Sequence, residues 1–247
     1  LELRAVGFRY PETDRWVLRG VDLEVRPGES VALVGRTGSG KTTLLNLVAR
    51  LYEPTEGVLL LDGTPLADWP RGELRRSLGI VPQETFLFSD TIRANIGFGF
   101  EEGYQGIDEE GAAKRAGLGS DLSQFPNGLD TMIGERGITL SGGQKQRAAL
   151  ARALALDRRV LLLDDAFANV DPSTEEEILA SLFGLPEKPT ILLATHRRSA
   201  LLRVDRVVVL DEGRIVASGT HEELLRQSGL YADLYHDEEV AEELEAL

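Results

Sequence analysis

An α/β fold with a mainly parallel sheet is what this 247-residue sequence predicts, and three features carry the prediction. Ser30-Val31-Ala32-Leu33-Val34 is a short continuous apolar run that passes through glycines into Lys41 to Val48, which has helical spacing, so strand, Gly-rich loop and helix follow one another directly. Val160 to Leu163, Thr190 to Ala194 and Arg206 to Leu210 are further continuous apolar runs, the composition of strands covered on both faces. Helical stretches, Gly143 to Ala155 and Ser173 to Leu182, lie between them.

The other elements follow in chain order. Leu3 to Leu23 alternates apolar and polar residues and is broken at Tyr10-Pro11-Glu12, which reads as antiparallel strands joined by a turn, an N-terminal antiparallel β subdomain. Val58 to Leu61 is strand-sized. From about Arg71 to Asn127 the chain is richer in helix formers and polar residues and is interrupted by Gly99, Gly103, Gly106, Gly111, Gly117 and Gly119, so a mostly helical subdomain inserted into the α/β core is expected. Asp211-Glu212-Gly213-Arg214 reads as a hairpin turn into Ile215-Val216-Ala217.

Composition narrows the function classes. The formal charge is −14, with 27 Lys and Arg against 41 Asp and Glu, which argues against a nucleic-acid binder working through a basic face. Six of those acids fall in Asp237 to Leu247 with no base among them, so without that stretch the charge would be −8; such a run reads as a solvated helix or a fraying tail. No cysteine is present, which removes disulfides, thiolate metal sites and a Cys nucleophile. No apolar run approaches the roughly 18 residues of a membrane span, and the first residues, Leu1-Glu2-Leu3-Arg4, do not read as a signal peptide. The single methionine is Met132, so a processed product or a piece of a longer polypeptide is expected.

Gly35-Arg36-Thr37-Gly38-Ser39-Gly40-Lys41-Thr42 fits the spacing G-x-x-x-x-G-K-[ST] of a phosphate-binding P-loop. Glycines let successive backbone N–H groups turn towards phosphate oxygens, the helix that starts at Lys41 adds its positive dipole end, and the Lys41 ammonium reaches the terminal phosphates. Gly35 through Thr43 is therefore the expected phosphate-binding stretch, with Thr42 placed to ligate Mg²⁺. This loop alone leaves kinases, GTPases, helicases and transport ATPases open. Val160-Leu161-Leu162-Leu163-Asp164-Asp165 narrows the choice: an apolar strand ends in two carboxylates, the first placed to hold Mg²⁺ and the second to orient an attacking water.

Leu140-Ser141-Gly142-Gly143-Gln144-Lys145-Gln146-Arg147 fixes the family, because here the sequence resembles the ATP-binding cassette family and its LSGGQ signature. Ser141, Gly142, Gly143 and Gln144 open a helix and offer a hydroxyl and closely approachable amides, a second anion site. The resemblance spans essentially the whole chain, and it implies that the signature caps the γ-phosphate held by a partner domain's P-loop, so that two such domains sandwich two ATP molecules. It implies one domain over 1–247: an ATP-binding core with β subdomain from 1–70 and 155–236, a P-loop NTPase core; a helical subdomain with the signature helix at about 71–154; and an acidic extension at 237–247.

Further matches follow from the same resemblance. Tyr10 is similar to the family's aromatic platform for adenine. Gln83, in Val81-Pro82-Gln83-Glu84, matches the loop glutamine that reaches Mg²⁺, and His196, in Ala194-Thr195-His196, matches the switch histidine of the γ-phosphate. Ala168-Asn169-Val170-Asp171 occupies the D-loop, with Asp171 matching its closing Asp and Ala168 standing where Ser is common. His221 and His236 sit in polar helical stretches and read as structural. The wording from Gln83 to Phe88, from Thr91 to Ile96 and from Ile133 to Gly137 resembles exporters, which implies transmembrane domains, expected on the same polypeptide, and a place at the cytoplasmic face of the cell membrane.

One departure matters. The family's catalytic base after the strand aspartate is Glu, whereas this chain has Asp165, one methylene shorter. A shortfall of about 1 Å costs on the order of 10²-fold in rate. The expectation is a site that binds ATP and hydrolyses it poorly, in a heterodimeric exporter whose non-identical partner carries the Glu. An ATP-gated clamp with little hydrolysis is the alternative.

Overall fold

The computed structural model describes residues 1–99, 107–134, 137–185, 187–227 and 229–245, with side chains to 237 in the last segment. Two sheets organise the chain. In the first, β1 (Glu2–Arg9) pairs antiparallel with β2 (Trp16–Glu24) and with β4 (Glu56–Leu61), and the two-residue β5 (Thr64–Pro65) closes its edge. Alternation puts Leu3, Val6 and Phe8 of β1 and Leu18, Val21 and Leu23 of β2 on the buried face, as the period-2 pattern requires.

The second sheet holds β3 (Ser30–Val34), β6 (Leu78–Val81), β7 (Val160–Asp164), β8 (Thr190–Ala194), β9 (Arg206–Asp211) and β10 (Arg214–Gly219), in the order β10-β9-β3-β8-β7-β6. Every neighbouring pair is parallel except β9 and β10, which form the hairpin expected from Asp211 to Arg214. Strands β3, β7 and β8 are buried along their whole length, the reason they read as unbroken apolar runs.

β6 falls inside the stretch expected to be helical. Leu78-Gly79-Ile80-Val81 offers only four residues, too short for a periodic signal, and its strand state comes from pairing with β7 in register Leu78–Val160 through Val81–Leu163. Gly79 is needed there because a Cβ would lie 2.5 Å from the Leu161 side chain and 2.8 Å from the Ala153 carbonyl. Around β6 the insertion is helical: α2 (Arg71–Ser77) before it, then α3 (Ile92–Ile96), α4 (Glu109–Arg115) and α5 (Gly119–Gln124). Thr91 caps α3 and Asp108 caps α4, each accepting from the amide three residues on. Gly103 and Gly106 lie outside the described residues, as do Glu135 and Arg136 of the exporter-like stretch.

The remaining helices are α1 (Lys41–Val48), α6 (Gly142–Leu154), α7 (Pro172–Phe183), α8 (Arg198–Leu201), α9 (His221–Arg226) and α10 (Leu230–Glu245), which takes up most of the acidic stretch. Residues of β7 and β8 divide between two cores. Leu161, Leu163, Ile191 and Leu193 face α6, α7 and the inserted helices, while Val160, Leu162, Leu192 and Ala194 face α1 and the first sheet. A third, smaller core under β3 and β9 is covered by Leu224, Tyr231 and Tyr235, and His221 Nδ1 sits 2.6 Å from the Tyr231 hydroxyl. Among the described residues no helix is long and apolar enough to cross a membrane.

Candidate functional site

The five parallel strands end on one side of the sheet, and the candidate residues lie at or just past those ends, where open α/β sheets place ligand sites. β3 runs into Gly35, β7 ends at Asp164 and Asp165, β8 leads to Thr195 and His196, and β6 leads to Gln83. The register Leu33–Ala194 and Asp164–Ala194 puts the loop, the carboxylates and the histidine on adjacent strands.

The loop after β3 is shaped by what it passes. A Cβ on Gly35 would lie 2.1 Å from the Leu210 carbonyl, and one on Gly40 would lie 2.7 Å from the Leu18 side chain, so the turn is pressed flush against β9 and β2. Gly40 adopts φ 109 as the residue before α1, and no side chain caps that helix. The Lys41 ammonium donates to the Gly35 carbonyl at 2.6 Å and to Arg36 at 3.2 Å, folding back over its own loop. Burial pulls the Lys41 pKa down, and the carboxylates of Asp164 and Asp165 act against that.

Asp164 is buried, and burial raises its pKa; the Thr42 hydroxyl beside it and the Lys41 charge partly offset this, while Asp165 adds to it. His196 is half-buried and is held below the ordinary 6.5 by burial and by the Lys41 charge, with Asp165 opposing, so its ring is neutral at neutral pH. Lys41, Thr42, Asp164, Asp165 and His196 thus form one electrostatic group. Gln83 is exposed past the end of β6.

Beside the loop runs a cleft of about 690 Å³ lined by Tyr10, Arg36, Thr37, Gly38 and Ser39 on one side and by Asp211, Glu212 and Gly213 on the other. Arg15, Trp16, Val17 and Arg19 also line it. No local sequence pattern marks them, because they reach the cleft by docking on the β9–β10 turn, where the Arg19 amide donates to the Gly213 carbonyl at 2.9 Å. The Tyr10 hydroxyl bonds Thr43 Oγ1 at 3.0 Å, and its ring meets Phe8 and Tyr52 edge to face.

Ser141, Gly142, Gly143 and Gln144 do not line this cleft. They start α6, where a capping box joins Ser141 and Gln144: the Gln144 amide donates to Ser141 Oγ at 3.2 Å and Gln144 Oε1 accepts from the Ser141 amide at 2.9 Å. Gln144 Nε2 then donates to Asp121 at 2.7 Å, and the Arg147 guanidinium pairs with the other Asp121 oxygen at 2.7 Å. Asp171 caps α7 through the Thr174 amide at 3.0 Å and also accepts from the Ser173 hydroxyl at 2.7 Å; together these hold its carboxyl well below the usual range.

The group fits a magnesium nucleotide. Ser39 Oγ is buried with no hydrogen-bond partner, in a loop that already holds an ammonium, and such an orphan calls for a ligand acceptor. Among the described residues no three His, Cys, Asp or Glu stand together as a metal cage. A divalent cation would therefore rest on Thr42 and Asp164 and complete its shell with phosphate oxygens and water, the habit of Mg²⁺.

Comparison with known proteins gives the family. The family model described as ABC transporter matches residues 18–168. An ATP-dependent lipid A-core flippase of Alkalilimnicola ehrlichii is 46% identical over 235 residues, 95% of this chain and 40% of that protein. An uncharacterised ABC transporter ATP-binding protein of Bacillus subtilis is 42% identical over 239 residues, covering 96% of this chain and 41% of that one. A solved structure described as a bacterial Atm1-family ABC exporter with ATP bound superposes with a TM-score of 0.89 at 40% identity, across 96% of this chain and 41% of that one. The chain thus spans about 40% of the length of the curated relatives it matches. With its P-loop, paired strand-end aspartates and signature helix in one fold, the chain belongs to the ABC transporter family and forms that family's ATP-binding domain.

Proposed function

We propose that this chain is the motor domain of an exporter: it binds ATP and Mg²⁺ at the strand ends, pairs with a second such domain around two nucleotides, and drives transmembrane domains at the cytoplasmic face of a cell membrane. The observation that carries the reading is the electrostatic group of Lys41, Asp164, Asp165 and His196 beside a loop with an orphaned Ser39 hydroxyl. The named activities of the relatives make a lipid-like amphiphile the first cargo to test.

The residues divide the work. Lys41, released from the Gly35 and Arg36 carbonyls, would take the terminal phosphate oxygens, and Ser39 would donate its hydroxyl to the same cradle. Thr42 and Asp164 would hold Mg²⁺, which supplies charge neutralisation at the phosphates. Neutral His196 would donate a hydrogen bond to the γ-phosphate, and Asp165 would accept the proton of the attacking water. Tyr10 would stack on adenine through its face. Gln83 would approach the cation from β6. Ser141 keeps its own O–H free of the capping box, in which its oxygen accepts, so it and the α6 amides would serve the partner's nucleotide, with Asp171 and the D-loop alongside.

Asp165 falls short of the reach of a Glu, so the P-loop site of this chain would bind ATP and turn it over slowly, the non-identical partner supplying the faster site. The short carboxylate also favours the second reading, an ATP-gated clamp. Binding and turnover separate them. Mg²⁺-dependent ATP binding with slow turnover, accelerated by a Glu-bearing partner domain, supports the heterodimer; ATP-driven dimerisation with no turnover in either setting supports the clamp. Full exporter rates from the chain alone overturn the impaired site, and failure to bind ATP overturns the site itself.

A further inference from the structure

The signature helix and the D-loop meet at Gln146, a side chain 2% exposed whose amide is spent on backbone at both ends. Its Nε2 donates to the Asp165 carbonyl at 2.7 Å, and its Oε1 accepts from the Asn169 backbone amide at 3.0 Å and, at 3.4 Å, from Asn169 Nδ2. Residue 165 follows β7 and residue 169 precedes α7, so none of these bonds belongs to a sheet or helix ladder.

Asp165 has φ 49, the left-handed region that non-glycine residues adopt rarely and Asp more readily than most. Two different elements hold it there. Its amide donates to the Ala194 carbonyl of β8 at 2.9 Å, and its carbonyl takes the Gln146 amide of α6 at 2.7 Å, with the Ala168 amide of the local turn at a longer 3.3 Å. The direction in which the carboxylate leaves the chain is therefore set partly from α6. The same side chain fixes the D-loop, and helix and loop touch closely: a Cβ on Gly143 would lie 2.4 Å from the Asn169 carbonyl. From the far side, Arg197 Nη2 donates to the Ala168 carbonyl at 3.2 Å, so the loop is gripped from α6 and from the segment after His196.

We propose that Gln146 is a positioning residue for ATP hydrolysis, holding the backbone of Asp165 and the D-loop to the signature helix so that the carboxylate of one nucleotide site and the signature face offered to the other keep a fixed relation. The proposal rests on Asp165 acting as the base, as read above. A side chain that only filled space would be replaced without kinetic consequence by an apolar one of equal length.

The test uses Gln146→Met, which keeps length and removes all three bonds, and Gln146→Glu, which keeps an acceptor for Asn169 and loses the donor to Asp165. Each is made in the chain and in its Asp165→Glu form, where turnover is expected to be faster. Gln146→Met is expected to speed exchange of the Asn169 amide by about tenfold, the worth of one lost hydrogen bond. It is expected to lower kcat by about tenfold to 10²-fold with KM for ATP nearly unchanged. Gln146→Glu restores slow exchange at Asn169 and leaves kcat low. Wild-type exchange in Gln146→Met, or a fall in melting temperature with kcat untouched, overturns the proposal. A wild-type chain that fails to bind ATP overturns the reading of the site instead, and the exchange result still decides whether Gln146 holds the backbone.

Discussion

The phenol of Tyr10 and the hydroxyl of Thr43 share a hydrogen bond of 3.0 Å, tying the end of the first strand to the first turn of the helix behind the P-loop. Thr43 is buried, so the bond fixes the Tyr10 ring relative to the loop. Tyr10→Phe keeps the ring face and loses only this bond, so ATP affinity should fall less than about threefold. Tyr10→Ala loses the face and should cost about 1–3 kcal/mol of binding. Titration of the two variants with a fluorescent ATP analogue separates the two contributions, and equal losses would count against stacking.

Asp165→Glu should raise turnover by about 10²-fold through reach, with ATP affinity unchanged. Left-handed backbone suits Asp better than Glu, so the same change should lower the melting temperature slightly. Single-turnover rates and thermal melts read the two effects independently.

Stability should fall in two stages on acidification. His196 and His221 both titrate below their ordinary 6.5, mainly through burial. As the pH drops past about 6.5 the unfolded chain takes up protons that the folded one refuses, and stability declines. Glu29 and Asp205 lie below their ordinary values through hydrogen bonds from the Arg206 and Ser30 side chains, so their contribution is present above those ordinary values and is lost as the pH falls through the lowered ones. Urea midpoints across pH should show both stages, and His196→Gln should flatten the upper one.

Neighbouring glycines of the signature should differ sharply. A Cβ on Gly142 would sit 3.6 Å from the Asn169 side chain, ordinary contact, whereas on Gly143 it would strike the Asn169 carbonyl. Gly143→Ala should destabilise by about 1–3 kcal/mol, and Gly142→Ala should be nearly neutral for folding. Denaturant unfolding of both variants makes the comparison.

Asp121 holds Gln144 and Arg147 at once, in a pair whose side chains are 15% and 11% exposed. Removing it leaves the guanidinium poorly compensated, so Asp121→Ala should cost about 3 kcal/mol. The loss should be sensed by exchange in α6 before the core strands.

Much of this architecture was legible in the sequence because its signals are local. Buried parallel strands are unbroken apolar runs, and the P-loop and the signature have fixed spacing. β6 was missed because four residues carry no period and its pairing partner lies 82 positions on, Leu78 against Val160. Asp164 and Asp165 stand out by their place at the end of an apolar run, whereas the role expected of His196 comes from the family resemblance. Asp121 and Gln146 were not legible in these roles, since their partners are set by how helices and loops dock, and composition carries no trace of that.

The place of β3 between β8 and β9 also constrains how the domain is made. Ser30 bonds Asp205 through both its amide and its hydroxyl, across 175 residues. The strand that leads into the P-loop cannot complete its pairing until residues beyond 205, some 175 positions later, have left the ribosome. The β1–β2 pairing does not depend on β9, whereas the full pairing of the strand that carries the nucleotide cradle does. Bound nucleotide would then report that β9 has docked, and truncation before β9 should leave a product open to proteases at the Gly-rich loop.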